Sequence, residues 1–263
     1  MDETVSRRLL QDLREQANTL LSASHLLSSL VRERGSARDR ECLAMIEQTL
    51  YRLMRSLQHL EFFQDEPPLF RPELTDVGEL CCRLGGDVAL LSPDLKIAFS
   101  WTVEPGTLIT LADPLLLERA LLNLLSNAIQ AAGPGGSVWL RAGVRGDRIL
   151  LTVEDDGPGM GDDPQLAPPD GGDPFLKRSG GLGLGIALVK KAAQLHNGAL
   201  LWHDRPGGGL SITFSLPLQK PDGGSRMVKS PRLRSDLTGG FPPLLVELSP
   251  LLPPEQFYPE NIE

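Results

Sequence analysis

The sequence predicts an α+β chain, an N-terminal antiparallel helical hairpin followed by a two-layer α/β sandwich and a proline-rich extension. Three observations carry this. Apolar residues recur at helical spacing up to about residue 60, with one break at Arg34-Gly35-Ser36. From residue 69 to residue 218, short alternating runs exchange with amphipathic stretches, the pattern of a sheet covered by helices. After residue 219 the composition changes, and residues 220–263 hold eight prolines. The expected boundaries are therefore 1–66 for the hairpin, 67–219 for the sandwich and 220–263 for the extension.

In the hairpin, Val5, Leu9, Leu13, Ala17, Leu20, Leu27, Leu30 and Val31 form one stripe, and Leu43, Ile46, Leu50, Leu53, Leu57 and Leu60 form a second. Two helices alone cannot bury both. A second copy of the chain, giving a four-helix bundle and a homodimer, is the simplest partner. Gln64–Pro68, Gln-Asp-Glu-Pro-Pro, ends the hairpin.

The sandwich is expected to begin with a strand at Leu69–Thr75 and a helix at Asp76–Leu90 capped by Asp76. Strands at Lys96–Val103 and Leu108–Leu111 follow. Asp113-Pro114 is a cap followed by a proline at the first helical position, and it opens the next helix. Val138–Val144 and Arg148–Val153 read as a hairpin, and Leu200–Asp204 with Leu210–Leu216 close the sheet after one more helix.

Three segments of this sandwich carry chemistry. The strand residues Ile149, Leu151 and Val153 run into Glu154-Asp155-Asp156-Gly157-Pro158-Gly159, so the strand delivers the Asp155 carboxylate while Gly157 and Gly159 permit close backbone approach. Leu117–Ala132 is a leucine-rich helix with Asn123 and Asn127 four apart on one face. These are either solvated polar positions or neutral oxygen ligands for a hard cation such as nucleotide-borne magnesium. Gly180–Ile186, Gly-Gly-Leu-Gly-Leu-Gly-Ile, leads into a helix, and bare N–H groups ahead of a helix N-terminus make an anion site.

In this order the three segments resemble the ATP-binding domain of sensor histidine kinases, in the superfamily shared with gyrase, the MutL repair protein and a heat-shock chaperone. The resemblance spans roughly Leu69–Leu218. Leu121–Ala128 resembles the family's asparagine box, Asp155–Gly159 its first glycine box and Gly181–Gly185 its second. Pro174-Phe175 resembles the phenylalanine box, and His196-Asn197-Gly198 the His-Gly-Gly that follows. The resemblance implies ATP and Mg2+ as cofactors. Asp155 would accept a hydrogen bond from the adenine amine, beside Gly157 and Gly159. Asn127 would coordinate magnesium with Asn123 supporting metal or phosphates, and Gly181, Gly183 and Gly185 would shape the lid hinge and phosphate loop. Gly161–Ser179 would be the ATP lid, with Lys177 and Arg178 able to meet phosphates. Two departures each remove a polar contact: Leu182 stands where the family has Thr or Ser, and Gln130-Ala131 where many members have Lys-Tyr.

The hairpin is similar to the family's dimerisation and phosphoacceptor region, with one chemical break. Where the family carries a motif like His-Asp-Leu-Arg-x-Pro-Leu-Asn, this chain has Gln11-Asp12-Leu13-Arg14-Glu15-Gln16-Ala17-Asn18. Gln11 occupies the acceptor position, and a delocalised amide nitrogen is no nucleophile. His25 and His59 read as ordinary exposed or half-buried side chains. The expectation is a nucleotide-binding, histidine-kinase-like signalling protein without self-phosphorylation at that position, partnered by a response regulator or another signalling protein. The alternatives are a gyrase- or chaperone-type ATPase and an anti-sigma-type serine kinase. Both need a carboxylate near the asparagine box, and Glu118 lies off the face of Asn123.

Composition narrows the classes. An apolar share of 41% and a charged share of 23% belong to a globular chain, and a net charge of −8 argues against nucleic acid. Cys42, Cys81 and Cys82 suit neither a disulfide framework nor a zinc site. With no apolar run of spanning length, the chain is expected to be cytoplasmic. Phe241–Phe257 is too apolar to be left in water, and is expected to dock on the chain's own surface or on a partner.

Overall fold

The structure is a computed structural model that describes residues 3–64, 70–106, 108–159, 184–219 and 241–258. It divides into two units, Met1–Pro68 with Arg234–Glu263, and Leu69–Leu233.

In the first unit, α1 (Glu3–Arg34) and α2 (Ala37–Gln64) form a hairpin. Ser36 and Asp39 start α2 reciprocally: Asp39 N–H donates to Ser36 Oγ at 3.2 Å, and Ser36 N–H donates to Asp39 Oδ2 at 2.8 Å. The helices bury Leu10, Ala17 and Leu21 from α1 and Leu43, Leu50, Met54 and Leu57 from α2. The α1 stripe read from sequence lies mostly elsewhere: Leu9, Leu13, Leu20, Leu27 and Leu30 are exposed. The inward face of α1 is set one position round the helix, where Ala17 permits close approach.

The C-terminal segment belongs to this unit, and of the two surfaces considered for it the structure uses the chain's own. A short helix, α6 (Pro243–Leu248), and a 3-10 turn (Pro254–Phe257) pack on α2. Phe241, Val246, Leu248, Leu252 and Phe257 are buried. Tyr51 meets Phe241 edge-on and Phe257 at a tilt, each with centroids 5.2 Å apart. His25 is exposed, 6.0 Å from the Phe241 ring. His59 is neither exposed nor half-buried as expected. It is buried, with Nε2 3.1 Å from Glu247 Oε1, because a residue 188 positions away covers it.

The second unit is a five-stranded sheet ordered β2-β4-β5-β7-β6 with a separate β1-β3 pair. The strands are β1 (Glu73–Asp76), β2 (Ala98–Val103), β3 (Ile109–Ala112), β4 (Ser137–Arg145), β5 (Arg148–Asp155), β6 (Ala199–Asp204) and β7 (Leu210–Pro217). Only β2 and β4 pair in parallel within the larger sheet. Three helices pack on it, α3 (Val77–Leu95), α4 (Pro114–Ala132) and α5 (Leu184–Leu195). This is the expected α/β sandwich. Some boundaries differ. The strand expected from Leu69 starts only at Glu73. The apolar face of α3 continues through Leu84, Val88 and Leu95, so the helix runs past Leu90 and ends at Lys96, whose φ of 56° closes it. The strand expected from Lys96 therefore starts at Ala98.

Both predicted caps form. Asp76 accepts from Glu79 N–H, and Asp113 Oδ1 accepts from the N–H groups of Leu115 and Leu116, each at 3.1 Å. The second cap is braced from across the unit. Asp113 N–H donates to His196 Nε2 at 3.0 Å, so the ring proton sits on Nδ1 and is donated to Ala192 O at 2.8 Å. Burial pushes the His196 imidazole below its ordinary range and keeps it neutral.

Candidate functional site

Along β5, Ile149, Leu151, Val153 and Asp155 are buried and alternate with half-buried neighbours, so the strand's helix-facing side ends in a carboxylate. Asp155 Oδ1 accepts from Gly157 N–H at 2.9 Å and from Leu210 N–H at 3.4 Å. Among the described residues no hydrogen bond reaches Oδ2. Burial raises the Asp155 carboxyl above the usual range against the pull of those two N–H groups. Asp156 is exposed, and the Ser137 N–H at 2.7 Å holds its carboxyl low. The two adjacent acids are thus sorted by environment: Asp156 ties down β4, and Asp155 keeps one oxygen uncommitted.

The bend after Asp155 passes across the end of α4. A Cβ on Gly157 would lie 2.5 Å from Ala131 O, so only glycine lets the loop sit there. Gly159 has φ 67° and lies against Asp204. On α4, Asn123 is fully buried and its Nδ2 donates to Arg119 O at 2.9 Å, which removes the solvated reading for that residue. Asn127 is half-buried, and its Nδ2 is buried without a hydrogen-bond partner among the described residues. The O and N ends of an amide exchange by a flip, so Asn127 has bonding capacity in reserve. Gly185 is buried in the first turn of α5, which packs against α4; Gly181 and Gly183, the lid segment and Pro174-Phe175 lie outside the described residues.

Sequence reasoning missed the far side of this site. Arg205 Nη1 donates to Asp155 O at 2.7 Å, and its guanidinium lies 4.4 Å from the centroid of the Trp139 ring. Gly209, with φ 98°, is so close that a Cβ there would overlap Asp155 O. The signal was the Arg205-Pro206-Gly207-Gly208-Gly209 run between two strands. A separate groove of ≈ 460 Å³ on the sheet's open face is lined by residues including Trp139, Arg141, Thr152 and Thr213. By strand alternation it lies on the side of the sheet away from Asp155.

The comparisons with known proteins agree with this geometry. Residues 112–220 match the family described as histidine kinase-, DNA gyrase B- and HSP90-like ATPase. Over residues 112–220 the chain is therefore similar to the ATPase domain shared by histidine kinases, gyrase B and HSP90. The non-motile and phage-resistance protein of Caulobacter vibrioides is 41% identical to this chain over 119 residues, 42% of this chain and 14% of that protein. The sensor histidine kinase CpxA of Escherichia coli is 29% identical over 222 residues, 82% of this chain and 48% of that one. Across these two and the sensor protein KdpD of Escherichia coli, the chain spans 14% to 48% of each relative's length. Among solved structures, full-length ShkA in complex with AMPPNP shares the fold with a TM-score of 0.64 at 22% identity, covering 82% of this chain and 46% of that one. The histidine kinase AdeS of Acinetobacter baumannii does so at 0.52 and 18%, covering 78% and 97%.

On α4 itself, Glu118 is buried and paired with Arg83 at 3.0 Å. In the hairpin, Gln11 is exposed on an uninterrupted α1, and its Nε2 donates to Glu15 Oε1 at 3.2 Å. Gln16, five residues further on, lies within the same unbroken helix. Among the described residues no helix is long and apolar enough to cross a membrane.

Proposed function

We propose that the chain is an ATP- and magnesium-binding, histidine-kinase-like signalling protein that pairs through its hairpin and does not phosphorylate itself at the first helix. The observation that carries the nucleotide reading is Asp155, a strand-end carboxylate with one oxygen fixed by two backbone N–H groups and the other uncommitted. That arrangement suits a single donor such as the adenine amine. Gly157 and Gly159 leave room for a flat base, and the helix start at Leu184 suits phosphate.

The residues present fit magnesium in one respect. Asn127 has unused bonding capacity, and a neutral amide oxygen suits a hard cation. Among the described residues no group of three or more His, Cys, Asp or Glu could hold a metal, so the remaining ligands would be phosphate oxygens and water. Asn123, the residue expected to support metal or phosphates, is buried and bonded back to Arg119 of its own helix. When bound, the nucleotide supplies a γ-phosphoryl group whose charge the metal offsets. The nitrogen lone pair of Gln11 is delocalised into its amide and does not attack that group, which makes the chain a pseudokinase at this position and leaves a response regulator or another signalling protein as the recipient of its output. Glu118, the acid expected off the face of Asn123, is committed to Arg83, which weighs against the gyrase-type reading.

Pairing is supported by the apolar residues left exposed on both hairpin helices, Leu9, Leu13, Leu20 and Leu27 with Ile46 and Leu53. The test of self-transfer is incubation of the purified chain with ATP labelled in the γ-phosphate. The expected result is no acid-labile, base-stable label on the chain, and some on the Gln11→His variant. Label on the unmodified chain mapped to His25 or His59 contradicts the proposal.

A further inference from the structure

The surface of α2 beneath the C-terminal segment reads main chain as well as side chains. Gln48 Nε2 donates to Ser249 O at 3.2 Å and to Leu252 O at 2.7 Å, and Arg52 Nε donates to Ser249 O at 3.2 Å. Ser249 caps the end of α6 and Leu252 follows three residues on, so both donors meet main-chain acceptors outside the helix. Further along α2, Arg55 Nε at 2.8 Å and His59 Nε2 at 3.1 Å converge on the Glu247 carboxylate. Burial alone would push that carboxyl up, but His59 and Arg55 hold it at about 2. Phe241 and Phe257 flank Tyr51 at the two ends of the segment.

Aromatic anchors, one carboxylate met by a guanidinium and an imidazole, and carbonyls met by side-chain donors are the features of a peptide-recognition groove. The occupant has the character of a ligand. A six-residue helix and a four-residue 3-10 turn are too short to persist alone, so the segment orders only as it docks, and that cost offsets much of its apolar burial. The anchor is an ion pair whose carboxylate is buried while Arg55 stays partly exposed, which contributes selectivity more than net stability.

We propose that α2 from Gln48 to His59 is a recognition groove for an acidic, apolar peptide, and that residues 241–258 are its resident ligand, kept in place by the covalent tether of the intact chain. The chain thereby shields the groove from segments of the same chemistry in other proteins. This is independent of the nucleotide reading.

The test uses the full chain with a specific protease site introduced within residues 221–239. After cleavage, a fluorescent peptide of residues 241–258 is added and its binding followed by anisotropy, beside the same peptide carrying Glu247→Ala. The expected result is exchange of the labelled peptide into the cleaved chain and no binding to the uncut one. Removing one partner of a buried pair should weaken the Glu247→Ala peptide about a hundredfold or more. A native peptide that fails to exchange, equal binding of the two peptides, or binding to the uncut chain overturns the proposal. Far-ultraviolet circular dichroism of the cleaved chain, expected to keep the hairpin's helical signal, separates loss of the groove from loss of the fold. Loss of that signal on cleavage also overturns it, since the segment is then part of the fold and not its ligand.

Discussion

Asp155→Asn will lower the affinity for magnesium–ATP by about 100-fold, equivalent to about 3 kcal/mol, without unfolding the domain. The backbone N–H groups of Gly157 and Leu210 require an acceptor, so the asparagine carbonyl will take the place of Oδ1. The amide nitrogen then falls where Oδ2 was. A donor faces the adenine amine, also a donor, so the substitution exchanges an attraction for a clash of like groups. Stability should move the other way. Burial raises the folded-state pKa of Asp155, so its ionised form opposes folding once the pH exceeds the unfolded-state value, up to and beyond the folded one. A neutral amide removes that cost at pH 7. Calorimetric titration together with thermal unfolding checks both halves. Unchanged affinity would remove Asp155 from the site, and a large fall in melting temperature would recast the loss as misfolding.

Gly209→Ala will damage the same site from the other side, and the damage will be to the fold first. Its φ of 98° is outside the range of side-chain-bearing residues, and the added carbon would collide with the carbonyl oxygen of Asp155. Residues forced into such backbone conformations cost about 1–3 kcal/mol before any collision. For a domain of this size that corresponds to a fall of roughly 2–12 °C in melting temperature. The Leu210 N–H would be displaced from Asp155 Oδ1, so ATP affinity should fall with stability. Gly207→Ala is the control. A Cβ on Gly207 meets no atom within 4 Å, although its φ of 92° carries the same backbone penalty. Any excess loss at Gly209 therefore measures the contact with Asp155. Equal melting temperatures for the two variants would show that this contact carries nothing.

These two predictions rest on information of different legibility. The Asp155 strand end was readable because alternation and an abrupt acid–glycine stop are local signals. Asp113-Pro114 gave away the start of α4 for the same reason, since a cap and its helix are neighbours in sequence. Gly209 and Arg205 were not readable as site residues. Arg205 meets Asp155 across 50 positions, through a strand register that no local pattern encodes. His59 was misjudged on the same grounds. Its spacing on α2 gave no sign of burial, because Glu247 and the C-terminal segment that cover it follow the whole ATP-binding domain in sequence. The α1 stripe shows the limit of periodicity. It located a helix with surplus apolar residues, yet the choice between the inward face and the exposed one was made by where Ala17 lets the helices approach.

The most direct measurement is a crystal structure of the chain grown with magnesium and a non-hydrolysable ATP analogue. The adenine amine is expected within hydrogen-bonding distance of Asp155 Oδ2, and the metal is expected beside Asn127. A nucleotide bound away from Asp155, or density for the analogue on the sheet's open face, would contradict the assignment of the site.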